Sequence, residues 1–308
     1  MPITFPDNKR FAFTVFDDTD RATVENVKPV YDFLADRGFR TTKSVWPLAP
    51  MRPSPGGGAT LADPEYLKFV LSLRDRGFEI ASHGATSHSA LRDETARGLA
   101  RFRELVGYGP KVHCNHASNI ENIYWGAARL TSLGCRTLYR LATLGRDRRF
   151  EGHDPQSPYF WGDLCRNQVR YVRNFAFREI NLLNVNPTLP YRDPARPYVP
   201  YWFSSTEGAG ARSFAEAISP EQQIRLEEEG GVCILYTHFA NGFFTRGSLD
   251  EGFRRAMERL AGRSGWFAPV GELLDYLLTQ GGGGEIPRGE LAAMERRWLW
   301  QKLRHGTT

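Results

Sequence analysis

Val15-Phe16-Asp17-Asp18 ends an apolar run on two adjacent carboxylates, answered further along the chain by His83, His88 and His238. Side-by-side carboxylates repel unless a positive charge or a shared proton offsets them, and a bound divalent ion would do so. Asp18, His83 and His88 offer one oxygen and two imidazole nitrogens. That set suits zinc first, with manganese, cobalt or nickel fitting the same residues, and it leaves positions open for water and substrate. Asp17 is then free to act as a base.

Each of these residues follows a short apolar run, so the elements carrying them decide whether they can meet. Residues 11–16 read as a strand buried on both faces, and 24–34 as a helix closed by Gly38, with Val24, Val27, Val30, Tyr31 and Leu34 on its inner side. Further strands are expected at 41–46, 78–81, 111–115, 137–141 and 232–236. Helices are expected at 66–76, 91–106, 120–133, 220–229, 249–260 and 270–278. Short apolar runs alternating with amphipathic stretches indicate parallel strands joined by crossover helices, and their repetition predicts an α/β barrel over residues 1–280. In a barrel, residues just past successive strands converge on one rim. That rim would gather Asp17, Asp18, His83, His88, Asn115, His116 and His238.

The Pro- and Gly-rich stretch 47–62 is too long for a simple connector and is expected to line a binding site. Residues 145–205, rich in aromatics, Arg, Asn and Pro, read as strands and long loops on the same face. Residues 281–284 are four glycines read as a flexible break, so 281–308 forms a linker and an amphipathic C-terminal helix. Its Leu291, Met294, Trp298 and Leu299 fall at helical spacing, which predicts docking on the barrel or on a second copy in a homo-oligomer. Trp298 and Trp300 beside Arg296, Arg297, Lys302 and Arg304 also permit a membrane-surface contact.

The 308 residues, 41% of them hydrophobic, suffice for one large barrel or two ordinary domains. No apolar run approaches the roughly 18 residues of a membrane span, and the first ten lack the apolar centre of a secretory signal. The cytoplasm is the expected compartment. Cys114, Cys135, Cys165 and Cys233 have no paired spacing and read as free thiols. The net charge of +5 comes from basic residues interspersed with acids, with no basic run interleaved with aromatics to indicate nucleic acid. The absence of a Gly-rich phosphate loop argues against an NTPase or a dinucleotide enzyme.

Phe16-Asp17-Asp18, Glu79-Ile80-Ala81-Ser82-His83 with His88, Ile234-Leu235-Tyr236-Thr237-His238 and Phe267-Ala268-Pro269-Val270-Gly271-Glu272-Leu273-Leu274 resemble, in order, the signature motifs of the polysaccharide deacetylase family, the fourth family of carbohydrate esterases. The resemblance runs from residue 11 to residue 278. It implies an irregular (β/α) barrel of about seven parallel strands that uses a divalent metal to remove acetyl groups from N- or O-acetylated sugars. It makes Asp17 the general base, Asp18, His83 and His88 the metal ligands, and His238 the general acid. Two features depart from the family pattern. Four residues rather than three separate His83 from His88, and Cys114-Asn115-His116-Ala117-Ser118 stands where an Arg-Pro-type motif is expected. Asp163 and Asp193 are the candidates for the acid that orients His238.

Asn115, His116 and Trp125 are expected to bind substrate, since amides bond sugar hydroxyls and indole faces stack on sugar rings. The partner is then an acetylated saccharide, such as an intracellular glycan precursor. Two alternatives compete: hydrolysis of a non-sugar amide or cyclic imide, and a non-catalytic barrel that binds a glycan or a protein.

Overall fold

The computed structural model describes residues 3–52, 54, 56–144 and 149–306. Seven parallel strands run in chain order: β1 Phe11–Asp17, β2 Thr42–Val45, β3 Glu79–Ser82, β4 Val112–His113, β5 Tyr171–Phe177, β6 Tyr201–Glu207 and β7 Val232–Thr237. Pairing of β1 with β7 closes them into a barrel. A hairpin of β8 Phe244–Thr245 and β9 Ser248–Leu249 stands apart, and β10 Gly265–Trp266 pairs with Phe11 and Ala12 at the start of β1. Because β2 pairs only with Phe16 and Asp17 at the end of β1, the two strands share one edge and the barrel is irregular there.

The helices are α1 Val24–Asp36, α2 Pro64–Asp75, α3 Arg92–Val106, α4 Leu133–Ala142, α5 Gly162–Gln168, α6 Ala211–Ala217, α7 Pro220–Glu228, α8 Glu251–Ala261, α9 Val270–Thr279 and α10 Arg288–His305. Start signals are local. Thr23 accepts a hydrogen bond from the Asn26 backbone N–H and Asn26 reciprocates, which caps α1. Among the described residues no helix is long and apolar enough to cross a membrane.

Alternation along β1 sets the two faces of the fold. Phe11, Phe13 and Val15 pack with Val27, Val30 and Tyr31 of α1, whereas Ala12 and Phe16 belong to the cluster that also holds Ala81, Cys114 and Ile234 from other strands. Every residue of β1 is buried. Side chains of a strand point alternately to opposite faces, so Asp17 continues the helix-facing row and Asp18 the lumen-facing row.

Two expected elements differ. The helix expected over 120–133 is a run of turns with one 3-10 turn, Gly126–Arg129, because Tyr124 (φ 47°) and Gly126 (φ 59°) adopt left-handed backbone. The strand expected at 137–141 is part of α4. Its start is fixed by Ser132, which accepts from the Cys135 N–H, and by the Glu295 carboxylate, which accepts from the Thr131 and Ser132 N–H groups. The expected strands of the irregular middle third are β5 and β6; residues 145–148 of that segment lie outside the described residues.

The C-terminal helix completes the helical layer. The β5 to β6 connection holds only the 3-10 turn Leu182–Asn184, and α10 packs against β5 and α4. Leu291, Met294, Trp298 and Leu299 join the same core cluster as the barrel lumen. The glycines before α10 are tied down, with the Gly283 N–H bonded to the Pro190 carbonyl and the Arg192 N–H to that of Gly284. Trp298 is 1% exposed and Trp300 55%. Trp298→Ala is therefore expected to lose about 3–5 kcal/mol, and Trp300→Ala to stay within about 0.5 kcal/mol. Urea unfolding measures both, and equal losses would show that α10 is not held by this face.

Candidate active site

Five strands send one polar side chain each, or the residue just past their ends, into the lumen rim. Asp18 follows β1, His83 follows β3, Cys114 follows β4, Arg173 lies in β5 and His238 follows β7. Asp20 and His116 join them from the loops beyond β1 and β4. Arg173 donates to both oxygens of Asp18 at 2.9 and 2.7 Å, and its guanidinium lies 4.1 Å from the Tyr236 ring centroid. Burial opposes ionisation of Asp18, but the Arg173 charge outweighs it and holds the carboxyl below its ordinary range.

Asp20 is the hub of the imidazoles. Its oxygens lie 3.0 Å from His83 Nε2, 2.9 Å from His116 Nε2 and 3.4 Å from His238 Nε2. The far side of each ring is already engaged. His238 Nδ1 faces the Ala209 carbonyl at 3.1 Å, which can only accept, so Nδ1 carries the proton. The Asn119 amide donates from Nδ2 to the Thr86 and His88 carbonyls, so its Oδ1 accepts from His116 Nδ1 at 3.0 Å. His83 Nδ1 lies 2.8 Å from Cys114 Sγ. Burial pushes that thiol well above its ordinary range, and the protonated thiol donates to Asp18 Oδ1, so sulfur receives the His83 proton. Three Nε2 atoms therefore converge on one carboxylate.

This donor set fits a divalent cation. Asp20, His83 and His116 place their ligand atoms within 4.8 Å of one another, as do Asp18, Asp20 and His238. Each ligating ring would keep an outer hydrogen bond that fixes its tautomer, a common companion of imidazole ligation. Gly56, in the 47–62 loop, presses on the site: a Cβ there would stand 3.0 Å from Asp20 Oδ1 and 3.3 Å from His116 Nε2.

The structure divides the residues singled out from sequence. Asp18, His83, His116 and His238 meet. Asp17 does not face the lumen, for the parity reason given above. It lies 2.9 Å from Lys43 Nζ, both fully buried, and accepts from the Tyr31 hydroxyl and the Phe239 N–H at 2.8 Å each. His88 belongs to none of the clusters. Beyond Gly84, whose φ is 97°, the chain turns so that His88 Nε2 lies 3.4 Å from Glu94 at the start of α3. The Asn115 amide bonds both backbone groups of Ile123, and Trp125 is covered by the Arg129 guanidinium 3.3 Å from its ring centroid. Neither faces the cluster as a sugar platform. Asp163 pairs with Arg92 and Asp193 with Arg196, so the Ala209 carbonyl, not an acid, orients His238.

Asp20, Arg173 and Cys114 were not singled out as chemical residues from sequence. Asp20 had a signal, the i, i+2 spacing from Asp18, and so did Arg173, a cation between the apolar residues Tyr171-Val172 and Phe175-Ala176-Phe177.

No protein-family model matches the chain, and no curated protein matches it. Solved structures do. A putative polysaccharide deacetylase from Mycobacterium smegmatis superposes with a TM-score of 0.53 at 13% identity, over 93% of this chain and 96% of that one. The chain has the polysaccharide deacetylase fold. A probable polysaccharide deacetylase from Pseudomonas aeruginosa PAO1 shares it at 0.50 and 12% identity, over 90% and 93% of the two chains. Puue allantoinase does so at 0.51 and 11%, over 89% and 92%. The deacetylase fold thus spans nearly the whole length of this chain and of these structures.

The Asp17 to Lys43 pair yields a prediction. Lys43→Met strands a buried carboxylate and is expected to cost about 3–5 kcal/mol, and adding Asp17→Leu to recover part of that loss. Urea unfolding of the single and double variants checks it; a double variant less stable than Lys43→Met would show that the two charges do not offset one another.

Proposed function

We propose that the protein is a metal-dependent hydrolase of the polysaccharide deacetylase family that removes an acetyl group from an acetylated saccharide. The observation that carries this reading is the convergence of three imidazole Nε2 atoms on Asp20, beside an Asp18 carboxylate held ionised by Arg173. Asp20, His83 and His116 would hold the ion. Zinc is the first choice for so nitrogen-rich a set, with manganese, cobalt or nickel suited to the same ligands. When bound, the ion supplies Lewis acidity at the acetyl carbonyl and lowers the pKa of water toward neutrality.

The chain's own residues supply the proton transfers. Asp18 is the proposed base: two guanidinium hydrogen bonds fix its plane, and its lumen-facing position leaves it beside the ion site. This moves the base one residue from the Asp17 expected from sequence, and the ligand set from Asp18, His83 and His88 to Asp20, His83 and His116. His238 is the proposed acid. Burial works against its protonation, but the Asp20 and Asp18 carboxylates outweigh that and raise its pKa, so Nε2 can hold a proton for the leaving amine or alcohol.

A second reading, hydrolysis of a ring amide, draws on the allantoinase that shares the fold and on the inward engagement of Asn115 and Trp125. Free acetate separates the two. Elemental analysis of the purified protein is expected to find about one equivalent of metal, retained in His88→Ala and lost in folded Asp20→Asn and His116→Ala. Asp18→Asn is expected to keep the metal and lose about 100-fold or more of acetate release from acetylated sugars. Loss of metal from His88→Ala would overturn the ligand assignment, and metal binding without acetate release would favour the ring amide.

A further inference from the structure

We propose that α4 and α10 form a docking face for an anionic phospholipid bilayer. Among the described residues ten large apolar side chains stand exposed, and six of them lie on these two helices or just past α4: Leu133, Leu138, Leu141, Leu144, Trp300 and Leu303. Leu133, Leu141 and Leu144 are 77%, 68% and 79% exposed. That concentration is the first reason to read the face as a partner surface, since scattered single exposures need no account.

α4 is amphipathic in an unusual sense. At 100° per residue its three leucines, Leu133, Leu138 and Leu141, occupy an arc of about 140°, while Cys135 and Tyr139 on the other side pack against the core. The helix contains no buried residue, so its leucines do not serve the fold. α10 lies against it, with Trp298 stacked on Tyr139 at 5.8 Å between centroids, and turns Trp300 and Leu303 to solvent.

Charge selects the occupant. α4 carries Arg136 and Arg140 and no acidic residue. The exposed side of α10 carries Arg296 and Arg304, the latter 5.0 Å from the Trp300 ring centroid. The two acids of α10 are turned inward, Glu290 to Thr188 and Glu295 to Thr131 and Ser132. A second copy docking by twofold symmetry would set arginine against arginine. An anionic bilayer accepts both features, leucines at the acyl boundary and guanidinium groups at the headgroups. The inference concerns where the protein works and stands apart from the reaction proposed above.

The test is co-sedimentation of the full chain with sucrose-loaded vesicles of mixed phosphatidylglycerol and phosphatidylcholine, beside vesicles of phosphatidylcholine alone. The parent is expected to bind the first, less tightly as salt rises, and the second weakly. Leu138→Ser with Leu141→Ser should lower partitioning on the order of 100-fold, and Arg140→Glu about 10-fold or more, with circular dichroism unchanged because all three positions are exposed. Three outcomes overturn the proposal: no binding by the parent, equal binding by the variants, or a dimer in light scattering that the leucine variant dissolves, which would make the face a contact between copies.

Discussion

A strand buried on both sides has two faces and no third, and β1 ends on two carboxylates, one for each. Asp17 and Asp18 cannot share a counter-charge, because successive side chains leave the strand in opposite directions. Removing a carboxylate from water costs several kcal/mol unless a partner compensates. The fold answers twice, with Lys43 from β2 on the helix side and Arg173 from β5 on the lumen side. The placement of β2 and β5 around β1 is thus tied to charge as well as to packing. The two pairs have different consequences: Lys43 with Asp17 is sealed among α1 and the strands, whereas Arg173 with Asp18 borders the imidazole cluster.

The cluster itself is held from outside. Each imidazole is oriented through Nδ1 by a different segment: His83 by Cys114 past β4, His116 by Asn119 in the following loop, and His238 by the Ala209 carbonyl past β6. None of these partners needs to move for Nε2 to point at Asp20. A site whose outer hydrogen bonds are already made can bind an ion without paying to reorient its ligands. Gly56 belongs to the same device. Its lack of a side chain lets the loop close on Asp20 and His116, so the long Pro- and Gly-rich stretch is part of the site rather than slack between elements.

Much of this was legible in the sequence, and the parts that were not share a cause. The alternation of apolar runs with amphipathic stretches located five of the seven barrel strands, and position past a strand end brought His83, His116 and His238 to one rim. What sequence could not give was phase. Reading Asp17-Asp18 as a unit could not say which carboxylate faces the lumen, because a run buried on both sides carries no polar alternation to set parity. His88 failed for a related reason: Gly84 in left-handed backbone redirects the chain, and five-residue spacing says nothing of direction. Arg173, which bonds Asp18, lies in β5, inside a segment whose aromatic density obscured the strand. α4 was misread because its start depends on Glu295, more than 160 residues away.

That last contact shows how far the site depends on the C-terminal helix. β5 must be covered on its outer side, and the crossover that follows it brings no α-helix of its own. α10 takes that place. Trp298 meets Phe175 at 5.4 Å between centroids, and Gln301 accepts from the Arg178 N–H just past the strand. Phe175 stands two residues beyond Arg173, past a register shift between Arg173 and Ala176 that breaks the alternation of faces, so the packing that holds the far half of β5 also fixes the strand that aims the guanidinium at Asp18. The same helix, through Glu295, starts α4. A segment that sequence alone reads as a tail is therefore one step removed from the carboxylate proposed to do the chemistry, and the link runs through ordinary core packing.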